Sequence, residues 1–379
     1  MPLVELFKNI SNWYRGKDWY RSKASGLAGL LILFALQFHL DFYTFTKTLL
    51  PAFITLIGIA AFGYFLNDFG DQKDDVKSGA TNTVVGLKWH SKFGLLILSL
   101  SFAILPWYFL PFTNITLYVL TAEFCLFITY SLWPFKFKKV PFVGVILDSL
   151  YAHAIPTFLA AYTFWLTSDT ELNMIFFAVL IAWQFVVGLR SIIQHHISDR
   201  KKDAIANSYN IFNHLKGRVL YLVGKRLIPA EVILFVALCF IMDTGGYWLL
   251  FFFMIFVANQ AFMWRNAIIW RIRGRYKKGN ASPAFFYEHR IGVIAGLILM
   301  FVDVKYGLVL VAYIFVFWID LRAIYLFLTI NFFKYLFWPF IINYYKTVVR
   351  FYHHVVLKNG YYYGHKLKVL LGIKEPKNK

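Results

Sequence analysis

Residues 67–75 read NDFGDQKDD, and they follow a long apolar run that ends at Leu66. Residues 195–203 read HHISDRKKD and also follow an apolar run. At an offset of 128 residues, Asp71 meets Asp199, Asp75 meets Asp203 and Asn67 meets His195. Two acidic windows in register after two apolar runs indicate an internal repeat of a four-helix unit, of the kind that builds a site between the two halves of a membrane protein.

The composition of the chain is that of a membrane protein. The 379 residues are 59% hydrophobic and 15% charged, whereas a soluble domain carries about 25% charged residues. A soluble globule of this length could not bury so much apolar surface, so the composition excludes a water-soluble enzyme and a disordered chain. The two cysteines, Cys125 and Cys239, give neither a disulfide framework nor a zinc-binding spacing.

Apolar runs of about 20 residues predict transmembrane helices. We place them near residues 24–45, 49–67, 93–111, 115–135, 143–166, 173–195, 227–243, 246–264, 290–303 and 306–328. Asp303 and Lys305 interrupt the last two, so nine or ten helices are expected. Backbone at membrane depth must satisfy its own hydrogen bonds, so the predicted fold is an all-α, polytopic bundle of membrane helices. A basic amphipathic segment at 1–23 and a basic aromatic tail at 329–379 flank this transmembrane domain of 24–328.

The net charge of +20 follows the positive-inside pattern and is not a nucleic-acid signature. Basic residues crowd the N-terminus and the segments after the second, fourth, sixth and eighth spans, while the other connections are short. The N-terminus and both acidic windows are therefore predicted to be cytoplasmic. This pattern predicts an integral protein of the cell inner membrane, with membrane lipids and no nucleic acid among its partners.

Both windows place carboxylates four residues apart, which sets them on one face of a helix. Four carboxylates that face one another repel strongly unless cations lie between them. Oxygen ligands select a hard cation, and Mg²⁺ also takes phosphate oxygens as ligands. The windows therefore predict a magnesium site that grips a diphosphate. A solvated loop of mixed charge is the alternative, and the matched positions of the two windows disfavour it.

These residues resemble a known family. Asn67, Asp68, Asp71 and Asp75 match NDxxDxxxD, the first aspartate-rich motif of the UbiA superfamily of intramembrane prenyltransferases, and Asp199 and Asp203 are similar to its second motif, DxxxD. Residues 130–138, YSLWPFKFK, with Gly144 further on, resemble the YSxxPxKxK…G segment that follows the fourth helix in members such as chlorophyll synthase. The resemblance covers about residues 20–320. It implies two pseudo-repeats of four helices around a central cavity.

The resemblance also implies roles for individual residues. Lys136 and Lys138 would lie near the diphosphate, and Tyr130 and Ser131 are catalytic candidates through the same segment. Asp68 would be an outer-sphere or alternative metal ligand. The magnesium site itself would comprise Asn67, Asp71, Asp75, Asp199 and Asp203.

Other polar residues complete the candidate set. His195 stands where the first window has an asparagine, and because Mg²⁺ prefers oxygen it is a hydrogen-bond donor to phosphate, a proton-transfer group or a structural histidine. Asp148, on the fifth span, is the candidate for taking the proton of the acceptor or holding its hydroxyl, with a contact between helices as the alternative. Arg190 and Arg200, which flank His195, are candidate ligands of the diphosphate.

The resemblance implies Mg²⁺-dependent transfer of an isoprenyl group from a polyprenyl diphosphate to a lipophilic acceptor, such as an aromatic compound or a quinone precursor, with release of diphosphate. Two other reactions use the same kind of site: cyclisation by a terpene cyclase and phosphoribosyl transfer to a lipid phosphate. The intact first motif favours transfer over cyclisation. An ion-coupled transporter is disfavoured because the windows lie at helix ends and not at the membrane midplane. A non-catalytic scaffold would leave the paired aspartates unexplained.

Overall fold

The computed structural model describes residues 12, 14, 23–79, 81–140, 142–205, 217–242, 244–263, 286–287 and 290–318. For 78, 197–205, 217–225, 244 and 259–263 it describes the helical backbone but not the side chains. All of these residues belong to one compact unit, Met1–Asp320. The predicted tail at 329–379 and nearly all of the predicted segment at 1–23 lie outside the described residues, so this division of the chain stays a prediction.

The described residues form helices and the turns between them, with no β-strand, and this confirms the all-α prediction. A short 3-10 turn, Phe137–Lys139, lies in the loop between the fourth and fifth helices. In chain order the helices are α1 (Ser25–Gln37), α2 (Phe42–Ser78), α3 (Trp89–Ile104), α4 (Asn114–Ser131), α5 (Val143–Leu166), α6 (Met174–Ile205), α7 (Gly217–Ile241), α8 (Thr244–Met263), α9 (Ile291–Val302) and α10 (Tyr306–Val316).

Five of these helices, α2 to α6, are long and apolar enough to cross a membrane, judged by length and composition. The helices α1, α9 and α10 are apolar but shorter. Large apolar side chains are exposed along the helices, including Tyr118, Met254 and Phe315. Apolar surface on this scale is expected where lipid surrounds the helices. The chain is an integral membrane protein, as its composition predicted.

The first predicted span, 24–45, is wrong at its end. Helix α1 stops at Gln37, and a tight turn leads into α2. Asp41 caps α2, because its Oδ1 accepts hydrogen bonds from the backbone N–H groups of Tyr43 (2.9 Å) and Thr44 (3.1 Å). A single aspartate in an apolar stretch therefore separates two helices that the hydropathy pattern had merged.

Helix α2 is much longer than the span predicted at 49–67, and its length positions the first acidic window. The helix continues to Ser78 and ends where Gly79 takes the left-handed conformation (φ 69°), which glycine adopts without strain. The first acidic window is therefore helical, as predicted. Asn67, Asp71 and Asp75, which are four residues apart, therefore lie on one face of the helix.

Each acidic window lies on a helix that packs against the next described helix. Helix α2, which carries the first window, packs against α3, and α6, which carries the second window, packs against α7. Each window therefore lies on the first helix of a packed pair.

The helices α9 and α10 pack back on α1. A Cβ on Gly29 would lie 2.9 Å from the backbone nitrogen of Gly292, so α1 and α9 touch backbone to backbone. Tyr313 of α10 donates a hydrogen bond to the carbonyl of Ser25 (2.8 Å). Small residues permit this close approach where lipid offers no hydrophobic driving force between helices.

Helix α5 contains a wide turn beside the candidate site. Leu150–Ala154 form a π-helical turn in the middle of the helix. Pro156 explains it, because proline has no N–H to donate to the carbonyl four residues earlier and its ring crowds that carbonyl. A Cβ on Gly188 of α6 would lie 2.8 Å from the Cα of Ser149. The helices α5 and α6 therefore touch next to Asp148.

Candidate functional site

The C-terminal end of α2 is covered by the loop that joins α4 to α5. Lys138 of this loop donates hydrogen bonds to Asn67 Oδ1 (2.9 Å) and to a carboxylate oxygen of Asp71. Lys136 forms ion pairs with Asp71 (3.2 Å) and Asp74 (3.0 Å). The structure thus brings the first acidic window together with the two lysines that the resemblance placed near the diphosphate.

Two glycines let the backbone of this loop pack closely. A Cβ on Gly70 would lie 2.2 Å from the carbonyl oxygen of Ser131, so only glycine fits where α2 meets the end of α4. The carbonyl of Gly70 in turn accepts a hydrogen bond from Lys136 Nζ (2.9 Å). A Cβ on Gly144 would lie 3.0 Å from the Cα of Lys138, so the start of α5 also supports the loop. These contacts hold the lysines over the acidic window.

Burial lowers the pKa of each of the two lysines, whereas the carboxylates of the acidic window raise it. Burial lowers the pKa of the Lys138 ammonium below its ordinary value, and the charge of Asp71 only partly offsets this effect. Burial also acts to lower the pKa of Lys136, but its contacts with Asp74 and Asp71 outweigh burial and raise that pKa above its ordinary value. The acidic window therefore offsets the cost of burying the positive charge, in part for Lys138 and in full for Lys136.

The oxygen groups of the acidic window surround the ammonium of Lys138. Its ammonium is bound by the amide oxygen of Asn67 and a carboxylate oxygen of Asp71, one helical turn apart, and the charge of Asp75 reaches it as well. Oxygen donors of this kind are the ligands that Mg²⁺ prefers, so the three side chains fit one side of the predicted magnesium site. In the part of the chain with described side chains, no three carboxylate, histidine or cysteine groups converge on one point.

Asp68 and Asp75 also face the loop between α2 and α3. Asp68 is buried and accepts hydrogen bonds from the hydroxyl (2.7 Å) and the backbone N–H (3.3 Å) of Thr83. Asn82 of the same loop donates a hydrogen bond to Asp75 Oδ2 (2.7 Å). Through these contacts Asp68 positions the loop, and its role as an outer-sphere or alternative metal ligand stays a prediction. Asp75 lies between the loop and the lysine side of the window.

The second acidic window lies on α6, which continues to Ile205. Asp199, Arg200 and Asp203 are therefore helical, but their side chains lie outside the described part of the chain. Their roles as ligands of the metal and the diphosphate stay predictions. His195 is exposed and lies within electrostatic reach of Asp148.

Arg190 lies in a different environment from the one that its predicted role requires. Its Nε donates to Glu231 Oε2 of α7 at 2.6 Å, and both side chains are buried. Gln194 Oε1 lies 3.4 Å from its Nη1. An ion pair this deeply buried depends on both partners, because removal of one leaves the other charge uncompensated. These contacts tie α6 to α7 and do not support the expectation that Arg190 binds the diphosphate.

Two more of the predicted residues, Asp148 and Tyr130, contact Tyr151 of the π-helical turn. Tyr151 donates a hydrogen bond to Asp148 Oδ1 (2.5 Å). Its ring lies 5.0 Å from the ring of Tyr130, measured between centroids. Tyr130 is buried and precedes Ser131, whose buried hydroxyl has no hydrogen-bond partner among the described residues. The contact of Ser131 with Gly70 joins this aromatic cluster to the acidic window.

The sequence reasoning assigned no role to four residues that build the site: Gly70, Asp74, Lys139 and Tyr151. Lys139 pairs with Asp74 (2.8 Å), which lies off the four-residue spacing that was used to select ligands. A glycine inside a helix is itself a signal of close packing, and Gly70 carries that signal. Tyr151 follows Asp148 by three residues, a spacing that brings helical side chains together.

Among known proteins, no family model matches the chain, and no curated protein matches it. Solved structures of a UbiA homolog from Archaeoglobus fulgidus do match. The structure bound to GPP and Mg²⁺ has a TM-score of 0.55, and the structure bound to DMAPP and Mg²⁺ has a TM-score of 0.54. Each comparison covers 80% of this chain and 99% of the other at 15% sequence identity.

The helices and their exposed apolar surface define a polytopic helical membrane protein. At this level of identity the likeness to the Archaeoglobus structures is a likeness of fold. The chain has the UbiA fold, as the resemblance in sequence predicted.

Proposed function

We propose that the protein is a Mg²⁺-dependent intramembrane prenyltransferase, which moves an isoprenyl group from a polyprenyl diphosphate to a lipophilic acceptor and releases diphosphate. The fold supports this proposal, because the Archaeoglobus structures that share it hold GPP or DMAPP, both isoprenyl diphosphates, together with Mg²⁺. One local observation carries it. The oxygens of Asn67 and Asp71 bind a lysine ammonium at the place where the resemblance puts the metal.

The oxygen donors of α2 would hold Mg²⁺ from one side. Asn67, Asp71 and Asp75 would be its ligands there, and Asp199 and Asp203 of α6 would supply the facing carboxylates. When bound, Mg²⁺ would neutralise charge on the diphosphate and stabilise the negative charge that develops on the leaving group.

The lysines of the α4–α5 loop would bind the diphosphate itself. Lys136 and Lys138 are paired with carboxylates of α2. A diphosphate offers these ammonium groups a more highly charged acceptor, and charge-assisted hydrogen bonds to phosphate are strong. Lysine suits such an exchange, because its flexible stem allows the ammonium to turn from one acceptor to another. The loop would therefore stabilise the leaving group without moving its backbone.

The aromatic cluster beside the window suits the other product of bond cleavage, an allylic cation. The rings of Phe127 and Tyr151 lie 4.4 Å apart, and Tyr130 packs against Tyr151 on the same side. An aromatic face attracts a desolvated cation by about 2 kcal/mol and does not react with it as a nucleophile would. These rings would stabilise the isoprenyl cation and exclude water while the acceptor attacks.

The test uses purified protein in lipid nanodiscs with Mg²⁺ and labelled geranyl or geranylgeranyl diphosphate. The assay is run with and without a membrane-lipid extract as the source of acceptors. We expect diphosphate release that requires both Mg²⁺ and the extract, together with a labelled lipid product. Chelation with EDTA should stop the release, and added Mg²⁺ should restore it.

Other outcomes of the same assay distinguish the alternatives. Release without the extract, with a cyclic hydrocarbon or an alcohol as product, would indicate a terpene cyclase. Lipid labelling from phosphoribosyl diphosphate but not from the isoprenyl donors would indicate phosphoribosyl transfer. Cation flux into liposomes, with no release from any donor, would contradict an enzyme and indicate transport.

A further inference from the structure

Tyr151 links the aromatic cluster to the carboxylate of Asp148. Its hydroxyl donates to Asp148 Oδ1 at 2.5 Å, and its ring contacts Tyr130 and Phe127. Asp148 is half-buried on a membrane-spanning helix, where ionisable side chains are costly and are found mainly in functional sites. In the described part of the chain, Tyr151 is the hydrogen-bond donor to this carboxylate.

The backbone around Tyr151 is unusual in a way that points to a site. Leu150–Ala154 form a π-helical turn, and such turns concentrate at functional sites because they redirect side chains. This turn carries two titratable groups, Tyr151 and His153. The turn has an identified cause in Pro156 and carries polar side chains in an otherwise apolar span, so we treat it as a specific feature of α5.

Polar groups from other helices converge on the same region. Lys23, which precedes α1, lies within electrostatic reach of both Asp148 and His153. His195 of α6 also lies within electrostatic reach of Asp148. His153 faces Gln184 of α6. The Asp148 carboxylate thus lies where polar side chains of α5 and α6 and the start of α1 come together.

We infer that Tyr151 is a positioning residue for the acceptor half of the reaction, an inference that rests on the proposed function. In that reaction the bond between the isoprenyl carbon and the diphosphate oxygen breaks, and its electron pair leaves with the diphosphate. The isoprenyl carbon bonds to an atom of the acceptor, and that atom loses a proton. Asp148 takes the proton on Oδ2, while the Tyr151 hydroxyl holds Oδ1 and fixes the carboxylate in place.

The arrangement of Asp148 and Tyr151 also indicates the class of acceptor that the site would take. The reacting atom must carry a proton that a carboxylate can remove as the new bond forms. A phenol, an alcohol or an electron-rich aromatic ring meets this condition, and the hydroxyl of a phenol or an alcohol can also donate a hydrogen bond to the Asp148 carboxylate. A phosphate oxygen that is already ionised has no proton to lose. The inference therefore favours a hydroxyl or an aromatic carbon over a lipid phosphate as the nucleophile.

Tyr151→Phe removes the hydroxyl and keeps the ring contacts with Phe127 and Tyr130. The matched control is Tyr162→Phe on the same helix, whose hydroxyl lies 3.3 Å from Thr113 Oγ1 near the opposite end of α5. If Tyr151→Phe lowers the melting temperature, the same measurements are made on Asp148→Asn, which preserves the shape of the side chain.

The experiment measures three quantities in nanodiscs with Mg²⁺ and labelled geranyl diphosphate: donor binding, lipid product formed with the extract, and donor lost to water as geraniol. We expect Tyr151→Phe to form product about 10-fold to 100-fold more slowly. Its donor binding should change by less than about twofold, and a larger share of donor should be lost to water. Tyr162→Phe should match the wild type. The double variant of Tyr151→Phe with Asp148→Asn should be no slower than Asp148→Asn alone, because Tyr151 acts through Asp148.

Two results would overturn the inference while the proposed function stands. One is wild-type product formation and wild-type water capture in Tyr151→Phe. The other is an equal loss of donor binding and product formation, which would make Tyr151 a purely structural residue. A wild-type protein that released no diphosphate from the donor would overturn the proposed function, and the role of Tyr151 in it would fall as well.

Discussion

The acidic window of α2 and the Arg190–Glu231 pair both join opposite charges between helices or loops, but they differ in their exposure. The Lys138 and Asp71 side chains keep 12% and 20% of their surface exposed, whereas those of Arg190 and Glu231 keep 5% and 1%. A partly exposed ion pair can exchange its partner for a ligand, while a sequestered pair cannot do so without a large desolvation cost. The difference distinguishes charges placed to bind from charges placed to hold two helices together.

The largest effect on activity should come from a substitution in the acidic window of α2. Asp71→Asn removes a negative charge from the proposed metal site, so we expect diphosphate release to fall about 100-fold to 1,000-fold. The control is Asp169→Asn, an exposed carboxylate in the turn between α5 and α6, which should keep full activity. Circular dichroism should show an unchanged helical content in both variants. A wild-type rate in Asp71→Asn would remove the acidic window from the site.

The second prediction concerns the buried Arg190–Glu231 pair, which holds α6 and α7 together. Glu231→Leu leaves the Arg190 charge buried without this partner and should cost about 3–5 kcal/mol of stability, read as a lower melting temperature. The double variant Arg190→Met with Glu231→Leu should recover most of that loss, because it removes both charges. If Arg190→Met instead left the melting temperature unchanged and weakened donor binding, Arg190 would be the diphosphate ligand that the sequence suggested.

The third prediction tests the glycine that brings the lysine loop to α2. In Gly70→Ala the new Cβ would meet the Ser131 carbonyl, so the loop and its lysines must shift. A displacement of about 1 Å in a positioned group lowers turnover by up to about 100-fold. We expect kcat/KM to fall by about 10-fold or more. Gly94→Ala on α3, where nothing lies within 4 Å of a new Cβ, is the matched control and should be fully active.

The smallest effect is expected at the most exposed pair of the loop. Lys139 and Asp74 keep 43% and 41% of their side chains exposed. Exposed pairs contribute about 0–1 kcal/mol, so Lys139→Met should change donor affinity by no more than a few-fold. Lys138→Met, one residue earlier and much more buried, should weaken donor binding far more. Equal effects of the two substitutions would mean that burial does not determine which lysine serves the site.

Local spacing made part of this site predictable. Asn67, Asp71 and Asp75 are four residues apart, and a helix places such residues on one face regardless of what surrounds it. The helical course of both windows could therefore be foreseen. The approach of Lys136 and Lys138 could not be derived from spacing, because more than 60 residues separate them from the window. It rested on the resemblance to a family.

What spacing did not foresee depends on contacts between distant segments or on single residues. Arg190 was placed near the diphosphate because it lies close to His195 in sequence, and its contact with Glu231, 41 residues away on the next helix, could not be foreseen. The end of α1 was misplaced because hydropathy averages over the single residue, Asp41, that caps α2. Tyr151 was missed because one more tyrosine in an aromatic-rich span carries no signal until its hydrogen bond is seen.

The π-helical turn at Leu150–Ala154 sets the rotational phase between the two ends of α5. A π-turn holds one residue more than the α-helical turn it replaces, and each residue of an α-helix advances the side chains by about 100°. Deleting Ala152 would remove one residue from this turn and would turn Asp148 away from its present azimuth relative to the C-terminal half of the span. The span would remain long enough to cross the bilayer. A change of one residue in length can therefore select which side chains of a membrane helix point inward, with almost no change in its hydropathy.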